Sequence, residues 1–348
     1  MNELLTKGIG HTEFKDSPVG KIPVGWEVKK FGECVERFYQ GINTVADKVV
    51  YERKGIPILQ AKHITSGYIS IGGAKFVSQV DFAIYKDKYN PRKGDVLLTN
   101  IGTIGKTVLV QEDEELLIAW NVFLIGVNDK VQSKFLNYYL QRLDGLNFYE
   151  NLMTGNATKF VNKTSLSEIE ILSPPLPEQQ KIASILTSVD EVIEKTQSQI
   201  NKLQDLKKGT MNELLTKGIG HTEFKDSPVG KIPVEWEVQE IESVINNLID
   251  YRGKSPPKYS SGVPLLTAKN IRKGYIDSEP REFIEEDKFD SWMVRGIPTV
   301  GDVFFTTEAP LGNVALVPDY KFAIGQRVIA LCPDVDKLNS VYLLYVLQ

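Results

Sequence analysis

The chain of 348 residues carries two cysteines, three histidines and no large excess of either charge. Cys34 and Cys332 lie far apart and fit no metal or redox spacing, which excludes a disulfide scaffold and suits a reducing cytosol. His11, His63 and His221 are too few and too scattered to suggest a metal cluster or a catalytic triad. With 41 Lys and Arg against 45 Asp and Glu, the net charge is −4. That balance argues against a blanket polyanion binder, so any contact with DNA has to come from local basic loops. No apolar run reaches the ~18 residues of a membrane span. The opening Met-Asn-Glu-Leu-Leu-Thr-Lys lacks the apolar core and cleavage site of a signal peptide. A cytoplasmic protein with no membrane partner is expected.

What the sequence does have is internal repetition. Residues 1–24 (MNELLTKGIGHTEFKDSPVGKIPV) recur unchanged as residues 211–234, and both copies continue into Trp-Glu-Val, after Gly25 in one and Glu235 in the other. Similarity then thins. Gly55-Ile-Pro-Ile-Leu-Gln-Ala-Lys-His-Ile faces Gly262-Val-Pro-Leu-Leu-Thr-Ala-Lys-Asn-Ile, and Gly94-Asp-Val faces Gly301-Asp-Val. Phe135-Leu-Asn-Tyr-Tyr-Leu-Gln faces Tyr342-Leu-Leu-Tyr-Val-Leu-Gln. The chain is two like halves. Because Gln348 corresponds to Gln141, the counterparts of residues 142–210 do not follow, and a C-terminally truncated second half is expected.

Within each half, short β-branched runs are broken by Gly, Asn and Asp. They predict strands at 56–60, 95–99, 107–110 and 118–127, and helices at 134–143 and 165–169. The expected fold class is α+β: two repeated domains, each built on a mixed, mostly antiparallel curved sheet and joined by a long coiled-coil helix. The expected boundaries are a repeat segment or linker at 1–25, a first domain at 26–173 and a spacer helix at 174–217. A linker at 218–235 and an incomplete second domain at 236–348 complete the chain.

The spacer helix is the clearest element. Ser173-Pro-Pro-Leu-Pro177 can seat proline in a first helical turn, and no proline follows from residue 178 to about residue 216. Leu186, Ile193, Ile200 and Leu214 fit position a of a heptad, and Ile182, Val189 and Leu203 fit position d. Such a helix spans roughly 58 Å, and its apolar seam calls for a partner helix.

Two enzymatic motifs fail on inspection. Asn100-Ile-Gly-Thr-Ile-Gly-Lys-Thr107 resembles a phosphate-binding loop, but Asn100 stands where the first glycine is required. Its counterpart, Thr307-Glu-Ala-Pro-Leu-Gly-Asn-Val314, lacks the lysine and the hydroxyl, so a glycine turn between strands accounts for Gly105 and Gly312 together. The Glu-x-Lys elements at Glu13, Glu223 and Glu286 lack the converging carboxylates of a metal-dependent nuclease. The halves differ where their tips differ. Lys62-His63 becomes Lys269-Asn270, followed by Arg272-Lys273, and Asn100, Thr103 and Lys106 lie in a loop replaced by Thr307-Glu-Ala-Pro. Trp120-Asn121 becomes Gln326-Arg327. Gly155-Asn156-Ala-Thr-Lys159 and Arg252-Gly-Lys254 add two basic loops. These residue types suit base-edge and phosphate contacts.

The junction Pro174-Pro-Leu-Pro-Glu-Gln-Gln-Lys-Ile-Ala-Ser-Ile-Leu, the duplicated half and the entries Ile22-Pro-Val-Gly-Trp26 and Ile232-Pro-Val-Glu-Trp236 resemble the specificity subunit of type I restriction–modification systems. The resemblance covers essentially the whole chain. It implies a non-catalytic subunit in which each head reads half of a bipartite, asymmetric site on double-stranded DNA. It also implies that the helix fixes the gap and docks methyltransferase subunits, which bind S-adenosylmethionine and methylate adenine. An ATP- and Mg-dependent restriction subunit joins them, and no cofactor is expected on this chain. A seam without an intramolecular partner leads to the further expectation of homodimerisation through the spacer helix.

Overall fold

The computed structural model describes residues 1–155, 158–253 and 255–348. It divides into two units, Met1–Ser198 and Gln199–Gln348. In the first, four antiparallel strands lie in the order Val35–Gln40, Val122–Val127, Val96–Thr99 and Thr107–Leu109. The two central strands are covered on both faces, which is why they read as near-continuous apolar runs rather than alternating ones. A second sheet pairs Ile56–Leu59 antiparallel with Lys75–Val77 and parallel with Leu117–Ile118.

The stretch expected as one strand over 118–127 is therefore shared between two sheets. Leu117–Ile118 belongs to the smaller and Val122–Val127 to the larger. Between them Ala119 N donates to Leu59 O at 2.7 Å and Trp120 N to Ile42 O at 2.9 Å, which turns the chain at an exposed Trp120. The helix Ser133–Gly145 buries Phe135, Leu136, Tyr139, Leu140 and Leu143 at helical spacing. Its start is capped by Gln132, whose side chain accepts from Phe135 N at 2.6 Å.

The second unit repeats the plan. Its four-stranded sheet runs Ile245–Asp250, Val328–Pro333, Val303–Thr306 and Val314–Leu316, the same order as in the first. Val263–Leu266 again pairs antiparallel with Phe283–Ile284 and parallel with Ala323–Ile324. Phe304, Ala315, Ile324 and Ala330 lie at the centre of its core.

The long helix is Leu176–Lys217, 42 residues or about 63 Å. Its start is built into the first unit. The buried Gln179 accepts from Gln132 N at 2.9 Å and donates to Pro174 O at 2.8 Å. Glu178 accepts from Ile9 N at 3.1 Å and Trp26 Nε1 at 2.8 Å, and pairs with His11 Nε2 at 2.8 Å. Ile182, Ala183 and Leu186 then enter a core shared with Leu5, Ile22 and Trp26. Residues 1–25 thus carry a short helix, Asn2–Lys7, whose Leu5 is fully buried. One turn further on, Tyr138 donates to Asp190 at 2.6 Å; burial, then this carboxylate, pushes its phenol up to about 12.

The expected heptad seam divides at this point. Ile182 and Leu186 are buried, whereas Val189, Ile193, Ile200 and Leu203 are between 41% and 64% exposed.

Candidate nucleic-acid interface

In the first unit three loops meet at one tip. Ala61 N donates to Asn121 Oδ1 at 3.2 Å, and Asn100 N donates to Asn121 O at 3.3 Å. These bonds bring the segments around Lys62, Asn100 and Trp120 together. Val161 N donates to Asn100 O at 2.9 Å, and Ile101 and Phe160 form a β-bridge, which adds the end of the basic 155–159 loop. Asn156 lies outside the described residues; Lys159 is exposed.

The residues chosen from sequence fall into two groups at this tip. Lys62, Thr103 and Lys159 point into solvent, Lys62 Nζ also donating to Gly73 O at 3.2 Å. His63, Asn100 and Asn121 are structural in their contacts. His63 is 2% exposed, and its Nδ1 accepts from Gln60 N at 2.8 Å. Burial first, then the Lys62 charge, pushes its pKa down, so the ring is neutral. Asn100 is fully buried. Short polar side chains at turns bond nearby backbone in this way, which gives them a framework role that sequence alone does not separate from ligand contact. Lys106 pairs with Asp144 at 2.5 Å. The loop containing it connects Val96–Thr99 to Thr107–Leu109, with Gly102 and Gly105 at positive φ.

The second unit has a matching tip with different chemistry. Thr307 N donates to Arg327 O at 3.0 Å, Gly325 N to Leu266 O at 2.7 Å and Asn313 Nδ2 to Ile271 O at 2.8 Å. Asn270 occupies the turn that His63 occupies in the first unit. It is 2% exposed, accepting from Thr267 N at 3.0 Å and donating to Asp277 O at 3.1 Å. Lys273 is exposed. The other cations carry acidic neighbours: Arg252 with Asp250 at 2.6 Å, Arg272 with Asp277 at 3.2 Å, Arg327 with Glu308 at 3.4 Å and Lys269 with Glu282 at 4.0 Å. Lys254 lies outside the described residues.

Two tip residues escaped the candidate set. Trp120 is 48% and Phe160 36% exposed, one on either side of Asn100 in the hydrogen-bonded loops. An aromatic side chain in a loop flanked by Asn and Lys was the available signal.

Two heads of one topology with unlike polar tips define a tandem recognition protein. Among the described residues, no group of His, Cys, Asp or Glu is placed to hold a metal ion, and no helix is long and apolar enough to cross a membrane. Residues 23–205 match the family model of the type I restriction modification DNA specificity domain. Over 96% of its length the chain is 29% identical to a Methanocaldococcus jannaschii protein provisionally named as the type I restriction enzyme MjaX specificity subunit, covering 78% of it. It is 27% identical to the MjaVIII specificity subunit of the same organism, over 96% of this chain and 77% of the relative. The crystal structure of a type I restriction-modification S subunit from M. genitalium has the same fold, with a TM-score of 0.52 and 16% identity over 92% of this chain and 76% of that one.

The chain belongs to the type I restriction–modification DNA specificity family. It is a specificity subunit, the non-catalytic recognition component of such a system.

Proposed function

We propose that each head reads one half of a bipartite, asymmetric double-stranded DNA target and that the long helix sets the gap between the halves. The observation that carries this reading is one framework present twice with two different tips. A framework that holds its loops by internal hydrogen bonds can change its exposed side chains without changing its fold.

In the first head, Lys62 and Lys159 address phosphate and Thr103 a base edge, beside the exposed rings of Trp120 and Phe160. His63, Asn100 and Asn121 fix the shape of the tip, and Lys106 joins them through Asp144. In the second head, Arg252, Lys269, Arg272, Lys273 and Arg327 supply the cations, and Asn270 fixes the turn. Asn156 and Lys254 belong to the same basic loops by sequence.

The exposed seam of Val189, Ile193, Ile200 and Leu203 is the face on which methyltransferase subunits dock. Those subunits bring S-adenosylmethionine, a restriction subunit brings ATP and Mg, and this chain holds none of these cofactors. The same exposed seam favours a second reading, self-pairing of the helix into a homodimer. Sedimentation of the isolated chain separates the two: a mass near 39.1 kDa at micromolar concentration excludes the dimer.

The spacing role has its own test. Four residues inserted near Gln199 lengthen the helix by about 6 Å, close to two base pairs of duplex. The methylated sequence is then expected to keep both half-sites and widen the gap; an unchanged gap refutes the role of the helix in spacing.

A further inference from the structure

In the first head the backbone at Trp120 is clamped while its side chain is left free. Ala119 N donates to Leu59 O at 2.7 Å, Trp120 N to Ile42 O at 2.9 Å and Val122 N to Ala119 O at 2.9 Å. Gln40 Nε2 donates to Trp120 O at 2.8 Å, so both backbone polar groups of Trp120 are taken. Gly41 lets the end of the strand Val35–Gln40 come this close. A Cβ there would lie 2.3 Å from Ala119 O and 2.4 Å from Ile118 O, both backbone atoms. A side chain on so constrained a backbone has little ordering cost left when it binds.

The indole itself is unclaimed. Trp26 Nε1 donates to Glu178 and Trp292 Nε1 to Ile324 O, and the Trp236 ring meets His221 edge to face. Among the described residues, the half-exposed Trp120 ring has no ring partner and no acceptor for its Nε1. The tip segments bonded around it, 60–65, 100–106, 118–121 and 158–161, carry Lys62, Lys106 and Lys159 and no acidic residue. Protein–protein interfaces favour tryptophan but are poor in lysine. The two together, without carboxylates, suit the face of a base beside phosphate.

The second head has the turn without the ring. Gly325 N donates to Leu266 O at 2.7 Å, the counterpart of the Ala119 bond, and the next residue is Gln326. Gln40, paired across the sheet with Phe123, is matched there by Asp250, paired with Ile329, and a carboxylate has no N–H to give. The ring and its clamp are missing together.

We infer that Trp120 is a wedge: its indole inserts between two base pairs of the half-site bound by the first head and kinks the duplex there, while the second half-site stays unkinked. Aromatic and aliphatic side chains open base steps in this way. Opening costs least at pyrimidine–purine steps, so the wedge selects such a step without reading a base edge. Trp120 is thereby a specificity-determining residue. The inference rests on the proposal that each head reads one half-site.

The test uses the complex assembled with its methyltransferase subunits and a duplex carrying the methylated sequence mapped from a genome, with donor and acceptor dyes flanking one half-site at a time. Energy transfer is expected to report a bend of about 20–90° across the first half-site and none across the second. Trp120→Ala should abolish the bend and Trp120→Phe should retain most of it, both with the parent's thermal midpoint. An abasic site at the opened step should strengthen binding of the parent about threefold or more and leave Trp120→Ala unchanged. Should Trp120→Ala fail to fold, the comparison of the two half-sites in the parent complex decides. A straight first half-site, equal bends in both, or a bend that survives Trp120→Ala would overturn the wedge. So would abasic strengthening that persists in Trp120→Ala, since base extrusion by the methyltransferase would then explain it. A complex that does not select the mapped duplex over a scrambled one ends the DNA reading and the wedge together; one that selects it but leaves it straight ends the wedge alone.

Discussion

Replacing Glu178 by glutamine tests what anchors the long helix to the first head. The carboxylate accepts two hydrogen bonds and pairs with His11, and its side chain is only 16% exposed. Each hydrogen bond to a charged group contributes about 1.5–3 kcal/mol. Glutamine keeps the shape but halves the acceptor capacity and turns an NH2 group toward donors. Trp26, fully buried, cannot replace its lost partner with water. The contacts share one carboxylate and are not additive, so we expect Glu178→Gln to destabilise the first unit by about 2–3 kcal/mol. For a unit of this size that lowers its thermal midpoint by about 4–12 °C. Scanning calorimetry measures it, with the exposed Glu3→Gln as control; Glu3 pairs with Lys7 on the surface. The second unit, which lacks this carboxylate, should be unaffected. Equal shifts for Glu178→Gln and Glu3→Gln would refute the reasoning.

Other perturbations bear on separate links. Leu186→Ala should cost about 2–5 kcal/mol, while Ile193→Ala, on the exposed part of the same seam, should cost under ~0.5 kcal/mol; urea unfolding of each variant checks the contrast. Gly105→Ala should cost about 2–4 kcal/mol. Gly105 has a φ of +90° and its Cβ would lie 2.7 Å from both Asp144 Oδ1 and Tyr149 Cδ2, and the loss is read from the same unfolding curve. Trp120→Ala should leave the thermal midpoint unchanged yet weaken target-duplex binding by the assembled complex about tenfold or more, as measured by fluorescence anisotropy.

Much of this architecture was legible because duplication writes it twice. The strands recognised in one half reappear in the other in the same order; the parallel pairings Ile58–Leu117 and Leu265–Ala323 were not among the features the sequence disclosed. The long helix was legible from its prolines and heptads. What the heptads could not tell was where the seam changes partner. Ile182 and Leu186 look like Ile193 and Ile200 in sequence, but only the first two meet the head. The turn at Trp120 was hidden because apolar residues on both sides continue into buried strands of different sheets. At the tips, His63, Asn100 and Asn270 were chosen for their polarity, and polarity does not separate a side chain that holds a turn from one that faces a ligand. Fractional exposure makes that distinction, at 2% or less for all three. Glu178 stood in the most informative motif of the sequence, yet its partners are separated from it by more than 150 residues, beyond the reach of any local pattern.

Head exchange tests the division of labour most directly. Residues 236–348 are replaced by the second head of a different specificity subunit, the complex is assembled with its methyltransferase, and modified adenines are mapped across a genome. The expected result is a bipartite sequence in which one half changes and the other half and the gap are retained. A motif that changes in both halves, or that does not change at all, would contradict the assignment of one half-site to each head.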